Sequence, residues 1–155
     1  MARPRLETTE AVSRRMRRTG PRDTSPERAV RSILFARGYR YRVDRRPIRE
    51  IRSRADLVFL GMRVAVYIDG CFWHGCPLHA THPQRNAHYW EPKLRENRSR
   101  DLRVTERLTE AGWVVLRYWE HEPAEEIADA IGVELEKRRA ELAAQAHLGE
   151  ASNLS

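Results

Sequence analysis

Lysine is almost missing from this chain: Lys93 and Lys137 are its only two in 155 residues. Cysteine is equally scarce, with Cys71 and Cys76 alone. Two cysteines five positions apart do not make the disulfide framework of a secreted domain, so a bridged extracellular module is excluded. In a reducing compartment, such a pair beside histidines reads better as metal-binding. No apolar run approaches the roughly 18 residues of a membrane span, and no apolar signal-peptide core is present. We therefore expect a soluble intracellular protein with no membrane partner.

What the chain does contain is arginine and a moderate apolar fraction. Hydrophobic residues make up 41%, enough for one domain with a real core. Charged residues make up 33%, and the formal net charge is +7. An arginine-dominated excess of positive charge suits a polyanionic partner, most simply nucleic acid. An arginine coding bias would give the same composition, so the charge argues about partners and not about fold.

Residues 1–22 have no sustained periodicity, and Arg14, Arg15, Arg17 and Arg18 surround a lone Met16. They read as a flexible basic arm that orders on a partner, or as a plain disordered tail. A helix follows, with Ser25 as its cap, Pro26 in its first position and Glu27 in its first turn. Ala29, Val30, Ile33 and Leu34 form its apolar stripe, and Gly38 suits its stop. Tyr39 to Val43 alternates like an edge strand, and 44–54 is an arginine-rich loop. Asp56–Leu60 and Arg63–Ile68 read as a hairpin turned at Gly61-Met62. A helix from near Pro92 to near Gly112 precedes Trp113–Trp119, which is apolar on both faces like a buried central strand. A last amphipathic helix covers about Ala124 to Ala143, and 144–155 looks disordered. The order α-β-β-β-α-β-α predicts one endonuclease-sized unit, 23–143, with a mixed sheet flanked by helices.

Three features carry chemistry. With a two-residue turn at Gly61-Met62, residue 56 pairs with 67. Asp56 and Asp69 then lie diagonally on one face, ~7 Å apart or less. Two such carboxylates can share a hard cation such as Mg²⁺; without one they repel. A slip of one residue would separate them, and both could instead end strands in ordinary turns. On the second helix, Asn97 and Asp101 interrupt the apolar face of Trp90, Leu94, Val104 and Leu108. They face either a polar site or an arginine of the basic segments.

The third feature is D-G-C-F-W-H-G-C-P-L-H, residues 69–79. Cys71, Cys76 and His79 have the spacing C-x4-C-x2-H, and His121, just past the last strand, is the best fourth ligand. Two thiolates and two imidazoles suit a closed, structural Zn²⁺. His74 and His82 are alternative ligands, but His74, beside the presumed Mg²⁺ site, is also placed to act as an acid or base. Phe72 and Trp73 either pack under the loop or stand out as rigid wedges for a base stack.

D-G-C-F-W-H, with the Asp56 hairpin before it and W-V-V-L-R-Y-W-E after it, resembles the very-short-patch mismatch repair endonucleases. These are bacterial enzymes that nick DNA next to the thymine of a T:G mismatch. The resemblance spans about Ser13 to Glu122. It implies a restriction-endonuclease-like α/β sheet with a structural zinc site. It further implies Asp56 as the essential Mg²⁺-binding aspartate, the carbonyl of Ile68 as a backbone metal contact, His74 as catalytic and Glu27 as an active-site glutamate. Phe72 and Trp73 match aromatics that enter the DNA beside the mismatch, Met16 matches an intercalating residue of the arm, and Cys71 matches a zinc ligand. The chain departs from the family's best-known members at Asp69, where they carry a histidine. It departs also in the zinc set: Cys76 replaces a histidine, His121 replaces a cysteine, and His79 falls one position off.

The expected function is thus a monomeric, Mg²⁺-dependent DNA nickase of the bacterial cytoplasm and nucleoid. Asp56, Asp69, His74 and Glu27 would be catalytic, and the arginines of the arm and of 45–54 would hold phosphates. Mismatch-repair proteins are possible partners. The competing readings are a nuclease of the same fold acting on unmismatched DNA or another lesion, and a zinc-stabilised DNA-binding module without catalysis.

Overall fold

The computed structural model describes residues 25–70 and 87–152. In chain order these form α1 (Ser25–Ala36), β1 (Arg42–Arg45), β2 (Ala55–Phe59), β3 (Val64–Asp69), α2 (Ala87–Glu110), β4 (Val114–Trp119) and α3 (Ala124–Ser152). The four strands make one mixed sheet in the order β1-β2-β3-β4. β1, β2 and β3 are antiparallel neighbours, and β4 lies parallel to β3. A parallel neighbour requires a crossover, which α2 supplies. The mixed α/β class expected from the element order is the one observed.

Alternation along the strands sorts the core into two layers. Leu57, Phe59, Val64, Val66 and Ile68 face Val30 and Leu34 of α1 and Ile127, Ala128, Ile131 and Leu135 of α3. Val58, Ala65 and Tyr67 face the other way, toward Leu108 of α2 and Ile51. All six residues of β3 are buried, so β3 is the central strand. The expectation that 113–119 would be central is corrected: β4 is an edge strand of the described sheet and is only half-buried throughout. Its two-sided apolarity has another cause. Val114, Leu116 and Tyr118 pack on the α1/α3 layer, and Trp113 and Val115 pack on the α2 layer.

Both glycines read as helix stops do that work. Gly38 (φ +91°) and Gly112 (φ +85°) adopt the left-handed conformation. Gly38 N–H donates to Phe35 O and Tyr39 N–H to Leu34 O; Gly112 N–H donates to Thr109 O and Trp113 N–H to Leu108 O. Each pair of bonds is a Schellman closure, which satisfies carbonyls the helix end would otherwise orphan.

Other boundaries moved. The edge strand is Arg42–Arg45, not Tyr39–Val43, because Tyr39 and Tyr41 pack against the core just before it. α2 starts at Ala87, so Pro92 lies inside it rather than at its first position. α3 runs to Ser152, and residues 144–152 are helical rather than a disordered tail. That last part is exposed and alanine-rich (A-A-Q-A), so strong helix propensity extends it without a packing partner.

The hairpin turn is also different from the one expected. Its strands leave Leu60 to Arg63 as a four-residue turn, closed by Met62 N–H to Phe59 O and Arg63 N–H to Leu60 O. The positive φ falls on Arg63 (54°) and not on Gly61. Two- and four-residue turns centred on the same bond give the same pairing, so the register is the one expected: Phe59↔Val64, Val58↔Ala65, Leu57↔Val66. At this end Arg138 of α3 donates from Nε to Met62 O (2.9 Å) and from Nη2 to Gly112 O (3.0 Å), tying two turns to one side chain.

Candidate active site

The site lies at the other end of the sheet. β2 begins there with Asp56 in its second position, and the parallel strands β3 and β4 both end there. The printed register, carried one step on, sets Asp56 opposite Tyr67 and puts Asp69 diagonally on the same face. The ladder changes character at this point. Ile68 N–H donates to Asp56 Oδ2 at 2.6 Å, so a carboxylate takes the place of a strand-to-strand bond. The strand ends are joined on the other side by Glu120 N–H to Asp69 O, 3.0 Å.

Asp56 sits in an environment that resists its charge. Burial, first of all, and then the carboxylates of Glu27, Asp69 and Asp44 raise its pKa from the usual carboxylate range to about 7. Only the Ile68 amide works in the opposite sense. Glu27 is itself buried, in the first turn of α1. Asp44 belongs to the edge strand and has φ 49°, an uncommon backbone state for a non-glycine residue. It approaches Arg54 at 3.7 Å. Acids from four elements therefore meet the same end of the sheet.

Asp69 has a partner that the sequence reading did not include. Arg117 of β4 lies opposite Tyr67 in the parallel register. Its Nη1 donates to both carboxylate oxygens of Asp69 at 3.1 Å. Its Nε donates to Thr105 Oγ1 (3.1 Å) and its Nη2 to Asp101 O (3.4 Å), and its plane lies over the Tyr67 ring at 4.2 Å from the centroid. The Asp101 carboxylate stands 3.8 Å from Nη1. Removing one member of so enclosed a pair costs about 3 kcal/mol, because the other charge stays behind. The available signal was a single arginine inside an otherwise apolar strand, V-V-L-R-Y-W.

The polar residues of α2 separate accordingly. Asp101 joins Arg117 and so reaches the site's end, through an arginine of β4 rather than of the basic segments. Asn97 accepts a hydrogen bond from Arg100 Nη2 at 2.9 Å. Trp90, Leu94 and Leu108 of the same helix are buried as expected. Tyr67, also unforeseen, shares the site's face and lies 3.4 Å from Ser53 Oγ; burial pushes its hydroxyl pKa up. His121 is exposed in the turn after β4, next to Glu120 and so close to where the chain leaves β3 for residue 71. The arm residues Arg14, Arg15, Met16, Arg17 and Arg18, and the loop residues Cys71, Phe72, Trp73, His74, Cys76, His79 and His82, lie outside the described residues. Among the described residues no three His, Cys, Asp or Glu side chains converge as a metal cage, and no helix is long and apolar enough to cross a membrane.

A mixed sheet whose hairpin aspartate is buried among further acids, with a basic surface around it, suits a nuclease that acts on DNA. Comparison with known proteins gives the same class. A profile of the family described as DNA mismatch endonuclease Vsr matches residues 6–79. The chain is 50% identical over 121 residues to the type II nicking enzyme V.NaeI of Lentzea aerocolonigenes, covering 77% of this chain and 71% of that one. It is 38% identical over 109 residues to the type II nicking enzyme V.XorIIP of Xanthomonas oryzae pv. oryzae, covering 69% and 77%. It is 36% identical over 110 residues to the DNA mismatch endonuclease Vsr of Escherichia coli, covering 70% and 68%. The chain belongs to the Vsr family of endonucleases, and it is an endodeoxyribonuclease.

Proposed function

We propose that this enzyme nicks one DNA strand next to the thymine of T:G mismatches, using Mg²⁺ held at Asp56. The observation that carries the metal reading is the setting of Asp56. A carboxylate whose pKa is raised to about 7 by burial and by Glu27, Asp69 and Asp44 gains most from a nearby cation. The donors are hard oxygens, as Mg²⁺ requires, and Mg²⁺ commonly takes only one or two carboxylates beside phosphate and water. Asp56 would hold it, with the Ile68 backbone carbonyl as a second contact. Bound there, the ion would activate water and neutralise charge developing on the phosphate.

The chain's own groups divide the remaining work. The Ile68 amide orients the Asp56 carboxylate through its 2.6 Å bond. Glu27 keeps the site's end negative from the α1 side, which favours a cation over a protonated Asp56. His74 would carry a proton to or from the reacting phosphate. Phe72, Trp73 and Met16 would enter the stack, which is easiest at an already weakened pair; this is one source of mismatch selectivity. Arginines 14, 15, 17 and 18 and those of 45–54 would hold phosphates. Zn²⁺ on Cys71, Cys76, His79 and His121 would pin the loop, and the position of His121 beside the end of β3 supports its share in that set. The protein would act as a monomer in the bacterial cytoplasm, with mismatch-repair proteins as further partners.

The test is a nicking assay on T:G and T:A duplexes with Mg²⁺ or EDTA. We expect Mg²⁺-dependent nicking of the T:G duplex alone. Equal cutting of both duplexes would replace the mismatch reading with that of a nuclease acting on unmismatched DNA. Asp56→Ala should lose nicking and keep DNA binding.

A further inference from the structure

Asp69 invites the role of a second metal carboxylate, since it shares a face with Asp56. Its surroundings argue for a different role. The Arg117 guanidinium is held by groups from three elements: Asp69 and Tyr67 of β3, its own β4 backbone, and Thr105 and Asp101 of α2. A cation fixed on so many sides is anchored, and it anchors the carboxylate it binds. Both Asp69 oxygens accept from the same Nη1.

We propose that Arg117 is a positioning residue of the nicking centre: its ion pair keeps Asp69 out of the cation site built on Asp56 and fixes the last residue of β3. From that residue the chain passes into the segment that carries His74. Arg117 thereby sets how much negative charge the site presents. With it, the carboxylate of Asp69 is matched. Without it, Asp69 adds an unmatched charge beside Asp56 and becomes a competing ligand for the cation. The inference rests on the reading of Asp56 as the metal-binding group, and it predicts that Asp69 and Arg117 behave as one unit.

The experiment uses the full chain as wild type, Asp69→Asn, Arg117→Met and the double variant, each checked for folding by circular dichroism. In EDTA, each single variant should lower the unfolding midpoint, and the double variant should be no worse than the worse single one. Additive losses would overturn the pair. Mg²⁺ is then titrated and its effect on the unfolding midpoint recorded. Asp69→Asn and the double variant should respond at the wild-type Mg²⁺ concentration, and Arg117→Met at one lower by about tenfold. A tenfold higher requirement in Asp69→Asn would make Asp69 a ligand, and a wild-type response in Arg117→Met would remove the charge argument; either overturns the proposal.

In nicking, Arg117→Met should lose about tenfold or more in kcat, with DNA affinity unchanged, and Asp69→Asn added to it should restore most of the loss. A loss that Asp69→Asn does not relieve would mark Arg117 as merely structural. If Arg117→Met does not fold, Arg117→Lys supplies the same comparisons, since it keeps the charge and loses the fork. A wild type that fails to nick T:G duplexes would sink the proposed substrate, while the unfolding and Mg²⁺ measurements would still decide this pair.

Discussion

Replacing Asp56 by asparagine should abolish nicking and, at the same time, make the protein harder to unfold. The pKa of Asp56 is about 7 in the folded chain, raised by burial and by Glu27, Asp69 and Asp44, against 3.8 for a free side chain. The folded state therefore binds the proton more tightly than the unfolded state does. Between those two values the folded chain carries more protons, so stability falls as pH rises from about 4 to about 7 and then levels off. At 1.36 kcal/mol per unit, the ionised group costs the fold about 4 kcal/mol at pH 8 and about 1.5 kcal/mol at pH 5. Asparagine is close in shape, can still accept from the Ile68 amide, and cannot ionise. Its variant should gain up to about 4 kcal/mol at pH 8, which is roughly 8–15 °C in unfolding midpoint for a domain of this size. The gain should shrink to less than half of that at pH 5. The assay is thermal unfolding in EDTA, followed by circular dichroism at both pH values. Mg²⁺ should raise the wild-type midpoint and leave the variant's unchanged, because only the folded wild type would bind it. A variant no more stable than wild type at pH 8, or a gain of equal size at pH 5, would refute the account of Asp56.

Other outcomes follow from the same structure. Metal analysis of freshly purified protein should find about one zinc per chain, and His121→Ala should lower that content; none in the wild type would remove the zinc set. Deleting residues 1–22 should reduce the salt dependence of DNA binding, measured by fluorescence anisotropy, by a slope of about 3, the share of four arginines. Gly112→Ala should cost about 1 kcal/mol in urea unfolding, because its φ of +85° is strained for a side chain although space is open there. Leu34→Ala, at a fully buried position between α1 and α3, should cost about 2–5 kcal/mol in the same measurement.

Local signals with one physical meaning were read directly from the chain. The glycine stops at 38 and 112 needed left-handed backbone and got it. The hairpin register followed from where the apolar residues alternate, even though the turn residues were misassigned, because the core fixes which face each side chain must take. Signals with two meanings were misread. The apolar run at 113–119 said that both faces are covered, which is true, but it could not say whether the strand's edges are paired. Proline marks a helix start more often than a helix interior, and Pro92 is the second case. At the site, Asp56, Glu27 and Asp69 were legible as acids near strand and helix ends. The partner of Asp69 was not, because Arg117 lies 48 positions away, and only the parallel pairing of β3 with β4 brings the two together.

Arg138 has a practical consequence for anyone engineering this chain. The turns at 60–63 and 111–113 look like surface connections where insertions are usually harmless. Here they share one guanidinium, which bonds Met62 O and Gly112 O, and Val114 N–H also donates to Arg63 O at 2.9 Å. Lengthening either turn would strip bonds from both, so neither is a place for a tag or a permuted terminus. The exposed last turns of α3, beyond Leu135 and Arg138, are the better attachment point. They lie past every residue that touches the core.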